Sequence, residues 1–200
     1  MATSRNGKGK GRKKTNQHSS HKGLFAGAAI IMVIAVIVIA FSFAPHFGFL
    51  SASQLNSITG QKYTTTGPMT ISGPQIGNST ISKNLVQAEV VNFTETGSTI
   101  TVGILEYVSN TDAASVYSIF SGFAAISNLS FKGTYNGAQY IGLTYGTSSM
   151  AAIHVGQFVV MISSQTAPNM THAKLTSIVH DQVNAMTSFQ FLSFFFPGGM

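Results

Sequence analysis

Hydrophobic and polar positions along this 200-residue chain fall into three regimes. The first is an unbroken apolar run from Leu24 to Ala44, free of charge and ended by Pro45. As a helix it measures roughly 31 Å at about 1.5 Å per residue, the thickness of a hydrocarbon core. A run that is apolar all round at this length predicts a transmembrane helix rather than a buried soluble one. Its many β-branched residues do not oppose this, because backbone bonding within the segment is compulsory in lipid. A cleaved secretory signal is the competing reading. Its apolar part is usually shorter, about 7–15 residues, and although Ser42-Phe43-Ala44 fits a small-x-small cleavage site loosely, Pro45 would follow the cut. An uncleaved signal anchor is therefore expected.

The second regime, residues 45–84, is irregular and reads as a neck. Ser51 to Gly60 suits a short helix, with Ser51 or Ser53 as cap and Gly60 as stop. Thr64-Thr65-Thr66-Gly67-Pro68 and Gly73-Pro74 then break any period, so extended chain and turns are expected as far as Gly77.

From Leu85 the pattern tightens. Leu85–Phe93 and Thr99–Val108 are β-rich runs joined by a hairpin signal at Thr94–Ser98. A helix over Asp112–Ser127, capped by Asn110 or Thr111, follows from the spacing of Ala113, Val116, Ile119, Phe120 and Phe123. Strands are predicted at Ser130–Tyr135, Gln139–Tyr145 and Ala151–Ser163, the last being the central one, with turns at Asn136-Gly137 and Gly146–Ser149. A second helix should begin near Asn169–Thr171 and run to about Ser188 on a stripe of Leu175, Ile178, Val179, Val183 and Met186. The Phe-rich stretch Phe189–Pro197 is too short to span a bilayer. It is read as a last edge strand packed on the domain, with the membrane surface or a docked partner as the alternative. Hairpin-rich order with two helices predicts α+β: one N-terminal transmembrane helix, then an antiparallel sheet with about two helices packed on one face. The expected organisation is a disordered basic cytoplasmic tail (1–23), the span (24–44), the neck (45–84) and an extracytoplasmic α+β domain (85–200).

Charge sharpens this layout. Only 8% of residues are charged, against about 25% in an average soluble domain. The net +6 is uneven: Arg5, Lys8, Lys10, Arg12, Lys13, Lys14 and Lys22 all precede the span and no acid lies among them. The rest of the chain sets Lys62, Lys83, Lys132 and Lys174 against Glu89, Glu95, Glu106, Asp112 and Asp181. The basic balance thus belongs to a tail, which orients the N-terminus in the cytoplasm and the following domain outside. Membrane lipid is the expected partner, through anionic headgroups near the tail, with other membrane or surface proteins as further partners; nucleic acid is not expected. So few carboxylates outside also predict a domain that loses little stability in acid.

Candidate chemistry is sparse. With no cysteine the chain cannot be a disulfide scaffold, an iron–sulfur protein or a thiol enzyme. His172 and His180, eight apart on a helix, sit about 12 Å apart along its axis, too far for one ion. Met150 and His154, four apart on a strand, point the same way and could suggest copper, but ordinary surface or core residues are the better reading. No G-x-S-x-G elbow occurs, and the neighbours His180 and Asp181 face about 100° apart on a helix. Asp112 is explained by helix capping. No catalytic residue, cofactor or metal ligand is expected, and the chain is read as non-enzymatic. Four N-x-S/T sequons, Asn78, Asn92, Asn128 and Asn169, all fall on the expected outside and are candidate glycosylation sites.

Two resemblances add to this. Leu50–Gly60, Ser109-Asn110-Thr111-Asp112-Ala113-Ala114 opening a helix, and Val155–Val160 before a terminal helix resemble, in order and position over roughly residues 50–188, bacterial extracytoplasmic sensor domains. Those are the ectodomains of membrane-anchored Ser/Thr kinases and related lipoproteins. This chain departs from them in lacking cysteines for their disulfides and a kinase domain before the span. The resemblance implies a sensing, binding or accessory module and names no ligand. Separately, Lys22-Gly23-Leu24-Phe25 before the apolar helix resembles the processing site of archaeal type IV pilins. That alternative implies a surface-filament subunit cut between Gly23 and Leu24. Phe25 and the two predicted helices of the outer domain depart from it.

Overall fold

Seven strands pair antiparallel in a single sheet, and the chain joins that sheet earlier than its hydrophobic pattern predicts. The computed structural model describes residues 47–77, 79–127, 129–167 and 170–195. The elements in chain order are α1 (Ala52–Thr59), β1 (Thr64–Ile71), α2 (Gly73–Ile76), α3 (Ser79–Ser82), β2 (Leu85–Glu95), β3 (Ser98–Tyr107) and α4 (Asn110–Ala125). There follow β4 (Ser130–Tyr135), β5 (Ala138–Tyr145), β6 (Ser148–Val155), β7 (Phe158–Gln165) and α5 (His172–Phe195). The strand order is β1-β2-β3-β7-β6-β5-β4, so β7 is central and its pairing with β3 closes the gap that α4 and three strands open in sequence. The expected α+β class with an antiparallel sheet is what the chain adopts.

The helices cover both faces, not one. The reason lies in runs such as Ala88–Val91, Val102–Leu105 and Val159–Val160, buried at successive positions. Because side chains alternate across a sheet, a strand buried at successive positions must be covered on both sides. On one face Val91, Phe93, Ile104, Ile153 and Val160 pack under Leu175, Ile178, Val179 and Val183 of α5 and under Leu55 of α1. On the other, Ala88, Val90, Leu105, Ile141 and Val159 pack under Ala113, Val116, Phe120 and Ala124 of α4, with Ile76 of α2 and Ile81 of α3 beside them.

Several boundaries depart from the sequence reading. Residues 64–71, expected as irregular chain, form the edge strand β1, paired with β2 on both sides of a bulge between Thr66 and Met69. The bulge absorbs the breakers: Gly67 sits at φ +110°, where a Cβ would lie 2.8 Å from the Val90 carbonyl oxygen, and Pro68 needs no donor on an edge. The run 151–163 is two strands, since the chain turns at Gly156 (φ +56°) and Gln157. A two-residue turn brings Val155 opposite Phe158 and keeps the apolar side chains in phase, so the pattern shows no gap. Ser109, not Asn110 or Thr111, caps α4, accepting the Asp112 amide at 3.1 Å. The Phe-rich stretch is no edge strand: α5 continues through it to Phe195, because no glycine or proline interrupts residues 169–196.

The segment before β1 is built into the domain. α1 starts with a reciprocal cap in which the Ser51 amide donates to Gln54 Oε1 at 2.8 Å and the Gln54 amide to Ser51 Oγ at 3.3 Å. Phe47, Leu50, Leu55 and Tyr63 then bury in the α5-side core. Gln182 of α5, fully buried, clamps this segment: its Oε1 accepts the Leu50 amide at 3.1 Å and its Nε2 donates to the Gly48 carbonyl at 3.0 Å. The span expected at 24–44 and the tail before it lie outside the described residues. Among the described residues no helix is long and apolar enough to cross a membrane.

Candidate functional site

Three strand glycines away from the β1 bulge differ in what lies over them. Gly142 lies under the Phe131 ring of the neighbouring strand, and a Cβ there would come within 2.3 Å of it. Gly133 lies under Tyr140 in the same way, at 2.4 Å from its hydroxyl. In both pairs an aromatic ring covers the missing side chain, so the glycine is accounted for by the sheet's own packing. Gly103 of β3 differs. A Cβ there would meet only Val90 Cγ2 at 3.5 Å and the Glu89 carbonyl at 3.9 Å, ordinary contacts.

Gly103 floors a groove on the α4 side. Ile71, Ile76 and Ile81 form one wall, Phe120 the other, and Val90, Leu105 and Met161 share the floor. Its free volume, counted for the centres of water-sized spheres, is about 60 Å³. The walls are almost wholly apolar. Thr101 and Ser163 supply its hydroxyls, and Thr101 Oγ1 already donates to Asn92 Oδ1 at 2.7 Å. Glu89 borders the groove through its backbone, since its register opposite Ile104 turns its side chain to the other face. A smaller apolar recess of about 20 Å³ lies farther along α4, between Phe120, Ala124, Leu143 and Met150.

The other face carries a polar group at the end where Phe47 packs edge-on to Phe158, with ring centroids 5.8 Å apart. Glu89, 1% exposed, accepts from Gln87 Nε2 at 3.2 Å, and Glu106 accepts from Gln157 Nε2 at 2.6 Å. The strand register makes these two carboxylates diagonal neighbours. Each is engaged by an amide, an arrangement that anchors strand ends and the β6–β7 turn.

The residues weighed for chemistry are kept apart. The His172 ring packs on Phe131 at 4.8 Å, while His180 stacks on Tyr135 at 3.8 Å. His154 Nε2 pairs with Asn110 Oδ1 at 2.9 Å and its ring stacks on Tyr117, whereas Met150 lines the smaller recess. Asp112 is a capping residue: the Ser109 hydroxyl and then the Asn84 amide hold its carboxyl below the usual range. Among the described residues no three His, Cys, Asp or Glu side chains converge on one point. Of the four sequons, Asn92 is described. It sits half-buried within β2, between β1 and β3, its amide oxygen engaged by Thr101. Asn78, Asn128 and Asn169, and the cut expected between Gly23 and Leu24, lie outside the described residues. Sequence reasoning missed the groove, although an isolated glycine inside the run Thr99–Val108 was a signal for it.

The architecture defines a class: a seven-stranded antiparallel α+β domain with a helix on each face. No family model matches the sequence, and no curated protein matches it. Among solved structures, the chain is similar to the extracellular domain of PknH from Mycobacterium tuberculosis, with 7% identity and a TM-score of 0.48, covering 68% of this chain and 92% of that one. It is also similar to a putative uncharacterised protein (Rv0999 ortholog) from Mycobacterium smegmatis, with 8% identity and a TM-score of 0.30, covering 68% of this chain and 97% of that one. Neither is described as a pilin. No fold assignment and no residue role is transferred from either.

Proposed function

We propose that this chain is a single-pass membrane protein whose extracytoplasmic α+β domain binds, without chemistry, a slim apolar ligand in the groove over Gly103. The observation that carries this is the contrast among the strand glycines. Gly133 and Gly142 are filled by the protein's own rings, whereas buried Gly103 leaves unfilled space between apolar walls. A glycine inside a strand costs stability, so an uncovered one marks close approach by something else. The walls supply no general acid, general base or metal ligand, which favours a sensing, binding or accessory role over catalysis. The charge-free run 24–44 and the basic tail before it support the anchor and its orientation.

The test is methyl NMR of the full chain in lipid nanodiscs, titrated with 1-hexanol as an apolar probe. Shifts should concentrate at Ile71, Ile76, Ile81, Val90 and Met161 and vanish in Gly103→Leu, whose side chain fills the floor. Equal shifts in both proteins, or shifts scattered over the domain, would overturn the reading.

A further inference from the structure

The direction of α5 points to a second membrane contact. α5 runs alongside β4: His172 packs near its start, on Phe131, and Asn184 lies by its end, donating to the Tyr135 hydroxyl at 3.2 Å and accepting from Asn136. α1 runs the opposite way along α5, because Lys174 Nζ donates to the Thr59 carbonyl while Gln182 holds Gly48 and Leu50. The chain therefore enters the domain beside residue 182, and Phe47 packs on Phe158 at the same end of the sheet as the Asn136-Gly137 and Gly156-Gln157 turns.

α5 reaches that end of the sheet near Asn184. Met186 is the last buried residue among its described side chains, and Thr187 and Ser188 are exposed. The helix still continues to Phe195, about 13 Å beyond Met186 at about 1.5 Å per residue. That extension carries Phe189, Phe191, Leu192, Phe194 and Phe195, and no charged residue follows Asp181. Three residues before Phe47, the apolar run 24–44 ends at Ala44. Two apolar segments thus adjoin the described domain at one end, one before Phe47 and one after Met186.

We infer that the Phe-bearing end of α5, residues 189–195, beds into the outer lipid interface beside the span and gives the domain a second foothold on the bilayer. This foothold rests on the proposed anchoring by residues 24–44. The occupant is lipid, because the chain preceding Phe47 brings the bilayer to this end. A helix with Phe and Leu and no charge suits burial about 5–10 Å into the headgroup–acyl boundary. A second anchor would fix which face of the domain meets solvent.

The absence of native cysteine makes the test direct. Single-cysteine variants Val36→Cys, Phe191→Cys, Ser193→Cys and Tyr145→Cys of the full chain are labelled with an environment-sensitive fluorophore. They are reconstituted in phosphatidylcholine–phosphatidylglycerol vesicles carrying nitroxide quenchers either high or low on the acyl chain. Tyr145 is 59% exposed at the opposite end of the sheet and serves as the water reference. Expected are loss of emission at Val36 with the deep quencher, loss at 191 and 193 with the shallow one, and none at Tyr145. Quenching at Val36 with none at 191 or 193 overturns the inference and leaves the anchor standing; so does a label at 191 or 193 shielded from both water and lipid, which would mean packing on protein. Absence of quenching at Val36 overturns the anchor, and the inference with it. Ser193→Cys removes no phenylalanine, so it keeps the result readable where Phe191→Cys disturbs folding.

Discussion

Replacing Gln182 tests whether the segment from Phe47 to Thr59 is structurally part of the domain. The side chain is fully buried and satisfies two backbone groups, the Leu50 amide and the Gly48 carbonyl. Gln182→Met keeps nearly the same volume, so the loss isolates the hydrogen bonds. An orphaned buried amide costs about 1–3 kcal/mol, and the partly buried Gly48 carbonyl, which water reaches in part, costs less. The expected destabilisation is about 2–3 kcal/mol. In a domain of this size that lowers the thermal midpoint by about 4–12 °C. Gln182→Ala adds a cavity among Leu50, Val179 and Val183 and should cost a further 1 kcal/mol or more, roughly. Hydrogen exchange followed by mass spectrometry on the full chain in nanodiscs reads the same event locally. Protection should fall at Leu50 and through α1, while the α4 face keeps its own. A Met variant that melts within a degree or two of wild type, with the Leu50 amide still protected, would refute the reasoning.

Gly142→Ala should destabilise by about 1–3 kcal/mol, because its Cβ meets the Phe131 ring at 2.3 Å, whereas Gly103→Ala should be tolerated or stabilising; chemical denaturation of both variants checks the contrast. Burial pushes Tyr107 well above the ordinary tyrosine range, and Tyr63 and Tyr117 are raised by the same cause. A raised acid stays protonated in the fold after the unfolded chain has ionised. Stability should therefore be full below about pH 10 and fall above it, and Tyr107→Phe should shallow that slope in denaturation curves taken between about pH 9 and 11. Asp112 is lowered by Ser109 and Asn84, so its stabilising contribution holds above its unfolded value and is lost as pH falls through the folded one. With so few carboxylates outside the tail, melting at about pH 3 should lie close to that at about pH 7, and a large drop would refute acid tolerance.

Much of the domain was legible along the chain because its signals are local. A hairpin needs only its turn residues and two β-rich runs, so β2–β3 and β4–β5 were readable at Thr94–Ser98 and Asn136-Gly137. The stripe from Leu175 to Met186 likewise announced α5. Edge strand β1 was hidden because Thr64–Pro68 has the local chemistry of a turn, and only pairing with β2 makes it a strand. The β6–β7 turn was hidden because Gly156 is its sole punctuation.

The sequence by itself determined the extent of the charge-free apolar run 24–44, the concentration of net positive charge before it, the α+β class and most element types. Each depends on periodicity or composition within a short window. Tertiary structure alone decided that helices cover both faces and that the segment from Phe47 belongs to the core. It alone left a small apolar void over Gly103 while rings cover Gly133 and Gly142. It also made residues 189–195 of the Phe-rich stretch the last turns of α5. These are properties of which surfaces meet, and residues far apart in sequence, such as Gly48 and Gln182, acquire them only when the sheet brings them together.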